Sequence, residues 1–287
     1  MNKKIIILLI SILIIAVIGA FYFLKPKPVK TITTEIYNLV DSQFLSTADT
    51  TRGILKIDLS VEVPETFENE EVLAKIKSTI FKNLFGEVVA GQSSKEILNQ
   101  YSAALKSEYL KNNADFANKL LKESKLVFNN SIILEGFSLI NDAHIFSYGI
   151  SRQVDLGGSY PSGTRYYLNF SLETGEKITE QDIFIAGYES ELIDLIKEQI
   201  IIDSKISDDD EIPSIQSFEE SNYIVENIKP NGNFFLNEEA ICYVFNPYEI
   251  SPVYFPGETE VAIPYSKIKH LMKENNPIVY LVNIPVK

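Results

Sequence analysis

The chain has 287 residues, 45% of them hydrophobic and 23% charged, which is typical of a globular protein with one large domain or two smaller ones. Residues 1–30 contain five lysines and no acidic residue, so the other 21 basic residues face 39 acidic ones and residues 31–287 carry a formal charge of −18. This charge argues against nucleic-acid binding and favours a basic partner, although it is also expected of a surface that only keeps the protein soluble.

The N-terminal segment predicts a membrane anchor. Met1–Lys4 carries two lysines, and Ile5–Leu24 is a run of 20 residues without a charge. As a helix, such a run spans about 30 Å, the thickness of the hydrocarbon core of a bilayer. A cleaved signal peptide is the alternative, for which Val17–Ala20 is a poor cleavage site. We therefore expect a single-pass protein of the bacterial cell membrane with its soluble part outside the cytoplasm, or a secreted protein if the segment is cleaved.

The first elements after the anchor are a strand and two helices. Gly53–Val63 alternates apolar and polar residues, which predicts a half-buried strand ending at Pro64. Asn69–Phe85 has apolar residues three and four positions apart, as in an amphipathic helix. Ser93–Glu96 has the form of a capping box, so a second helix should begin there, with a break near Asn112.

The middle of the chain changes to a strand pattern. Short turns between successive strands predict an antiparallel meander. Gly175 can take the left-handed conformation of a turn, and Thr179–Asp182 can cap a helix. A further helix is predicted over Tyr188–Ile202. The candidate strands of the meander are Leu126–Phe128, Ser131–Ile140, Ala143–Val154 and Arg165–Leu172.

The last third predicts more strands and one helix. Because strands and helices come in runs and do not alternate strictly, the fold class is α+β, with antiparallel sheets and packed helices. We expect an anchor and spacer at 1–30, a first module at 31–155 and a second domain at 156–287. The predicted elements are strands at Phe234–Leu236, Ala240–Phe245, Glu260–Ile263 and Ile278–Ile284, with a helix at Ser266–Lys273.

Two passages carry a family resemblance. They are Gly157–Phe184, with Asn169–Gly175 at its centre, and Tyr243–Tyr265, which contains Tyr243–Ile250 and Gly257. In this order they resemble the extracytoplasmic domain of the anti-sigma factor RsiV, a domain of unknown function that also accompanies the catalytic domain of the peptidoglycan deacetylase PdaC. The region from Thr51 to Val154 resembles the smaller module that usually precedes it.

The resemblance implies binding, because the outer domain of RsiV recognises lysozyme, a strongly basic protein. We expect no anti-sigma role, since only Met1–Lys4 precede the anchor, and no deacetylase domain. The expected function is therefore a non-catalytic binding or sensing module for a lysozyme-like basic protein or a cell-envelope ligand such as cell-wall glycan. The alternatives are a cell-envelope hydrolase that uses a carboxylate such as Glu249, and a structural accessory subunit of an envelope complex.

The segment Tyr248–Tyr254 is the best candidate for contacting a ligand. It joins two predicted strands, Pro247 and Pro252 stiffen it, and tyrosines bury a large area at a small cost in entropy. The alternative is a loop that simply folds onto the sheet. The tip of Gly157–Gly163 is the second candidate. The candidate binding residues are Tyr160, Tyr248, Glu249, Pro252 and Tyr254.

No catalytic residue, metal site or cofactor is predicted. His144 and His270 are the only histidines, too few for an ordinary zinc site, and we expect structural or surface roles for both. Cys242 is the only cysteine and should be a buried strand residue. Asp208–Glu211 lacks the ligand spacing of a calcium-binding loop and is expected to be a solvated loop.

Overall fold

A computed structural model describes residues 30–47, 50–86, 91–115, 129–157, 162–206, 218, 223–251 and 257–282. Residues 31–287 form one compact unit. Within the described ranges, no helix combines the length and the apolar character needed to cross a bilayer. The predicted anchor at residues 5–24 lies outside these ranges and stays a prediction.

The first sheet has five strands that lie side by side in chain order. Neighbouring strands are antiparallel except for the second and third, which are parallel. The parallel pair requires a crossover connection, and helices α1 (Glu70–Phe85) and α2 (Ser94–Asn112) lie within it. The predicted meander is confirmed for the last three strands. The strands are β1 (Thr33–Phe44), β2 (Ile54–Thr66), β3 (Asn130–Asn141), β4 (Ile145–Asp155) and β5 (Ser162–Ser171).

Both long helices start at the residues that the sequence indicates. The Asn69 side chain accepts hydrogen bonds from the backbone N–H groups of Glu71 and Val72, and Ser93 and Glu96 form the predicted capping box. Helical spacing places the apolar residues of α1 along one side of the helix, and the alternation in β2 places its apolar residues on one face of the sheet. These two apolar surfaces are buried in the same core. This is the first hydrophobic core.

Strand β1 was not predicted from the sequence. Its exposed apolar residues Ile36, Val40 and Phe44 are four positions apart, a spacing that hides the period of two expected of a strand. The prediction that Pro64 ends β2 was wrong. β2 continues to Thr66, and Pro64 lies opposite Thr34, where the pairing register with β1 shifts.

A second sheet has three antiparallel strands and lies in a separate core. They are the predicted strands, now β6 (Phe234–Leu236), β7 (Ala240–Phe245) and β8 (Thr259–Pro264). The helix predicted over Tyr188–Ile202 is observed as α4 (Glu189–Ile206), and its Leu192, Ile196 and Ile200 are buried in this second core. Short helices complete the unit: α3 (Glu180–Ile183), α5 (Tyr265–Ile268) and α6 (Val279–Val282), with 3₁₀ turns at Val225–Asn227 and Lys269–Leu271.

The terminal strand predicted over Ile278–Ile284 was wrong. Helix α6 occupies part of this segment, and Ile278 and Leu281, three residues apart, are buried on one side of it. The Asn276 side chain accepts a hydrogen bond from Ile278 N and fixes the start of the turn. Tyr280 donates to Asp142 Oδ2 at 2.6 Å, so this segment contacts the loop between β3 and β4 and does not pair with a strand.

The predicted division at residue 155 falls between two paired strands. β4 and β5 are hydrogen-bonded along ten residue pairs of the first sheet, from Ile145 opposite Ser171 to Val154 opposite Ser162. The two cores nevertheless fall largely on either side of this point in the chain. The division into a module and a domain stays a prediction.

The packing of Tyr148 against β3 gives a test of this fold. Tyr148 is fully buried and donates to the Glu62 carbonyl oxygen at 2.7 Å, and a Cβ atom at Gly136 would lie only 2.1 Å from its hydroxyl oxygen. Gly136→Ala should therefore lower the free energy of unfolding of residues 31–287 by about 1–3 kcal/mol in urea titrations. Gly163→Ala is the control, because the nearest atom to its new Cβ, Gln153 Cγ, lies 4.0 Å away. Equal unfolding midpoints for the two variants would contradict this packing.

Candidate functional site

The turn that follows β7 contains two of the predicted binding residues. Glu249 N donates to the Asn246 carbonyl oxygen at 3.1 Å and closes the turn. The Glu249 carboxylate accepts hydrogen bonds from Asn246 N at 3.1 Å and from Asn231 Nδ2 at 3.3 Å. On the far side, Asn227 Nδ2 donates to the Glu249 carbonyl oxygen at 2.8 Å. Glu249 therefore holds the turn in shape through one oxygen of its carboxylate, Oε2.

Tyr248 lies at the apex of this turn in a strained conformation. Among the described residues it is the one non-glycine residue with a positive φ, +71°. The left-handed region costs an ordinary residue about 1–2 kcal/mol relative to the right-handed one, and glycine would avoid most of this cost. The residue is 40% exposed, so part of its surface is open to a partner. Strain of this kind at an exposed side chain is a reason to suspect a functional role.

A cavity of about 230 Å³ adjoins the turn through Pro247. Most of its other lining residues lie on β4 and β5 and carry a hydroxyl or an amide, and two lining residues, Arg165 and Glu258, form an ion pair. Groups of this kind can donate and accept hydrogen bonds to a polar ligand or to a partner's backbone. The hydroxyl and amide residues are Ser151, Gln153, Ser162 and Thr164.

Acidic side chains surround this site. Glu226 is exposed beside Asn227, Glu258 pairs with Arg165, and Glu260 is exposed on β8. Although Glu260 is exposed, partial desolvation by the groups around it raises the pKa of its carboxyl, the neighbouring Glu258 raises it further, and Arg165 opposes both effects. The side chain of Arg165 is the only basic group among the cavity's lining residues, and its charge is already engaged.

Asparagine side chains fix the turn against the edge of β5. Asn246 Oδ1 accepts from Arg165 N at 2.6 Å, and Asn246 Nδ2 donates to the Arg165 carbonyl oxygen at 3.1 Å. Asn233 Oδ1 accepts from Tyr167 N at 2.9 Å, and Asn233 Nδ2 donates to the carbonyl oxygens of Arg165 and Val244, each at 2.9 Å. These amides replace the strand that would otherwise pair with β5.

A buried carboxyl group lies behind the site and was not predicted from the sequence. Glu180 accepts hydrogen bonds from Gly232 N at 3.1 Å and from the Tyr188 hydroxyl at 3.3 Å. Burial raises the pKa of Glu180. Burial also raises the pKa of the nearby Tyr243, and the charge of Glu180 raises that pKa further. The buried Tyr243 hydroxyl has no hydrogen-bond partner within the described residues. The only sequence signal was an acidic residue in the first turn of a predicted helix, which is ordinarily a solvated position.

The other predicted residues lie in several places. Tyr160, Pro252 and Tyr254 fall outside the described residues, as does Asp208–Glu211, so the full loop that we predicted as the contact surface is not described. The ring of His144 contacts the ring of Tyr280, with 4.5 Å between centroids. His270 Nε2 lies 2.7 Å from Glu191 Oε1. Both roles are structural or surface roles.

Cys242 is a buried residue of β7, as predicted. Burial raises the pKa of its thiol to about 12, so the thiolate is disfavoured at neutral pH. Within the described ranges, no group of three or more His, Cys, Asp or Glu side chains is arranged to hold a metal ion. A second cavity, of about 410 Å³, lies at the end of α2, where Leu55, Tyr109 and Arg152 line it, away from the predicted site.

The buried carboxyl group gives a pH-dependent test. An acid whose pKa is raised in the folded state binds its proton more tightly there, so it lowers stability as the pH rises above the pKa of the unfolded chain, about 4.3. Glu180→Gln removes this titration. The difference in unfolding free energy between the variant and the wild type should therefore shift in favour of the variant between pH 4 and pH 7. A difference that stays constant across this range would contradict the assignment.

Comparisons with known proteins identify part of the chain. Residues 181–266 match the family model described as a protein of unknown function, DUF3298. No curated protein matches the chain. The fold is similar to that of a DUF3298 family member from Bacteroides fragilis, with 22% identity and a TM-score of 0.74 over 88% of this chain and 99% of that one. A DUF3298 family protein from Pseudomonas aeruginosa is similar with 14% identity and a TM-score of 0.55, over 85% of this chain and 96% of that one.

These matches do not extend to RsiV or PdaC, so that resemblance stays a prediction. The matched residues include the turn with Tyr248 and Glu249, the buried Glu180 neighbourhood and the whole second sheet, whereas Arg165 and the cavity wall on β4 and β5 lie before them. The chain therefore contains a DUF3298 domain at residues 181–266, within a fold that it shares with the two solved DUF3298 proteins.

Proposed function

We propose that the chain is a membrane-anchored module of the bacterial envelope whose extracytoplasmic part binds a basic protein of the lysozyme type and catalyses no reaction. Two observations on the sequence support this proposal: the formal charge of −18 on residues 31–287, and the resemblance of Gly157–Phe184 and Tyr243–Tyr265 to RsiV. Opposite charges on two partners speed their encounter and suppress wrong partners.

The observation that carries the proposal is the conformation of Tyr248. Tyr248 has a backbone conformation, φ +71°, that costs a non-glycine residue free energy, and 40% of its surface is open to a partner. Tyrosine is among the residues that most often dominate a protein interface, because its ring buries a large area and its hydroxyl still forms hydrogen bonds. A contact with a partner would repay the strain.

The charges near Tyr248 fit a basic partner. Glu226, Glu258 and Glu260 lie around the turn and the cavity, and Arg165, which pairs with Glu258, offsets only one of them. Side chains at the edge of an interface mainly change the rate of association and its dependence on salt. Binding should therefore weaken as the ionic strength rises.

A cell-wall glycan is the second candidate ligand. The cavity of about 230 Å³ beside the turn is lined by hydroxyl and amide side chains, which suit the hydroxyl groups of a sugar. In this case Tyr248 would lie beside the sugar ring, and the salt dependence would be weak because a neutral glycan carries no charge.

A hydrolase that uses Glu249 receives less support. Oε2 of Glu249 accepts both of the hydrogen bonds to the carboxylate, from Asn246 N and Asn231 Nδ2, and so holds the turn. Both donors are amides, which cannot serve as the second acid or base that a hydrolase uses beside its carboxylate. The accessory-subunit alternative remains a prediction, and capture of a stable partner complex from membranes would test it.

The binding proposal is tested with residues 31–287 and Tyr248→Gly. Titration calorimetry with lysozyme should show saturable binding that Tyr248→Gly weakens at least tenfold, the range expected of a tyrosine that dominates an interface. The same substitution should leave the free energy of unfolding unchanged or raise it by about 1 kcal/mol, because glycine relieves the strain. A loss of binding without a loss of stability would show that Tyr248 contacts the partner and is not needed for folding.

Tyr166→Ala is the matched control, because Tyr166 is an exposed tyrosine on the opposite face of β5 from Arg165. It should bind as the wild type does. Soluble cell-wall glycan fragments form the second arm. If only the glycan binds saturably, the ligand is a cell-wall glycan and not a basic protein. If neither lysozyme nor the glycan binds, the proposal is overturned.

A further inference from the structure

The free edge of the first sheet is long, apolar and open. β1 has twelve residues and, within the described residues, pairs only with β2. On its outer face Ile36, Val40 and Phe44 are 62%, 81% and 37% exposed. Natural sheets protect such edges with lysine, proline, bulges or a covering element. β1 contains no lysine, arginine or proline, and its one register shift lies at its first residue.

The apolar pattern of β1 is symmetric about Val40. Ile36 precedes it by four residues and Phe44 follows it by four. If a second copy pairs antiparallel with Val40 opposite Val40, then Ile36 of each copy faces Phe44 of the other. All three lie on one face of the strand, because their spacing is even. Cross-strand apolar pairs of this kind stabilise a sheet.

The charges of β1 select the same register. With Val40 opposite Val40, Glu35 faces Leu45 and Asp41 faces Leu39, so no like charges meet. Moving the centre to Asn38 would place Glu35 directly opposite Asp41, which is unfavourable for two carboxylates. Centring on Leu39 would pair Ile36 with Ser42 and Val40 with Asn38, which loses both apolar pairs. Of the registers centred on Asn38, Leu39 and Val40, only the one centred on Val40 satisfies both conditions.

We propose that two copies of this chain associate through β1, with the symmetry axis at Val40, so that antiparallel pairing of the two β1 strands joins their five-stranded sheets into one continuous ten-stranded sheet. The partner is a second copy because an interface across a two-fold axis must be self-complementary, and β1 is self-complementary in both its apolar and its charged residues. The other edge, β5, is already occupied by Asn233 and Asn246 and cannot serve in this way.

Cysteine cross-linking of the full-length chain in membranes tests this register. Directly opposite residues have Cα atoms about 4.5–5.5 Å apart, within the range of a disulfide, whereas an offset of four residues separates them by about 13 Å. Mild oxidation should therefore convert Val40→Cys into a covalent dimer. Asn38→Cys and Ser42→Cys should stay monomeric when each is expressed alone, and should cross-link to each other when the two are co-expressed.

Two controls are the wild type and a charge substitution at Val40, on the exposed face of β1. The wild type contains only the buried Cys242 and should give no dimer. Val40→Lys, added to the co-expressed Asn38→Cys and Ser42→Cys chains, places two lysines opposite each other and should reduce the cross-link at least tenfold. A self-cross-link of Asn38→Cys, equal cross-linking at every position, or no cross-link at Val40→Cys would each overturn the proposal.

Discussion

The interaction on which the rest of the structure depends is a set of hydrogen bonds made by three asparagine side chains at β5, the last strand of the first sheet: two bond to its backbone and the third extends from it. Asn233 and Asn246 satisfy the outward-facing backbone groups of Arg165 and Tyr167, and Asn169 reaches from β5 to the Phe234 carbonyl oxygen at 2.8 Å. An amide side chain carries the same donor and acceptor as a peptide group, so it can pair with a strand edge where no strand fits. The buried edge of β5 thus has its partners, which a buried backbone requires.

The same contacts connect the fold to the candidate site. Asn246 begins the turn that Glu249 closes, and Asn231, whose side chain contacts Glu249, also accepts a hydrogen bond from Asn233 N at 3.0 Å. The position of Tyr248 therefore depends on the edge of β5, although residues 181–266 alone match the family model. The two edges of the first sheet differ in this respect, because side chains cover β5 whereas β1, among the described residues, pairs only with β2.

Local signals in the sequence were enough to predict the elements that depend on local chemistry. The helix that starts after Asn69, the cap at Ser93, the turn at Gly175 and the buried strand around Cys242 all follow from residues within a few positions of one another. The features that depend on distant residues were not predictable. The amides of Asn233 and Asn246 bond to a strand far away in the sequence, β1 showed no period of two, and Glu180 became a buried group only through Gly232 and Tyr188. At the site, the sequence pointed to Tyr248, which is 40% exposed, and to Glu249, but the use of one Glu249 oxygen to hold the turn depends on Asn231 and could not be predicted.

Amide hydrogen exchange of Tyr167 in the variants Asn233→Ala and Asn233→Asp tests the central claim most directly. Aspartate keeps an oxygen that can accept from Tyr167 N, whereas alanine leaves this N–H without a partner. We predict that the Tyr167 amide exchanges much faster in Asn233→Ala than in the wild type, that Asn233→Asp keeps part of the protection, and that amides of β2 and β3 change little in either variant. Unchanged protection of the Tyr167 amide in Asn233→Ala would contradict the account.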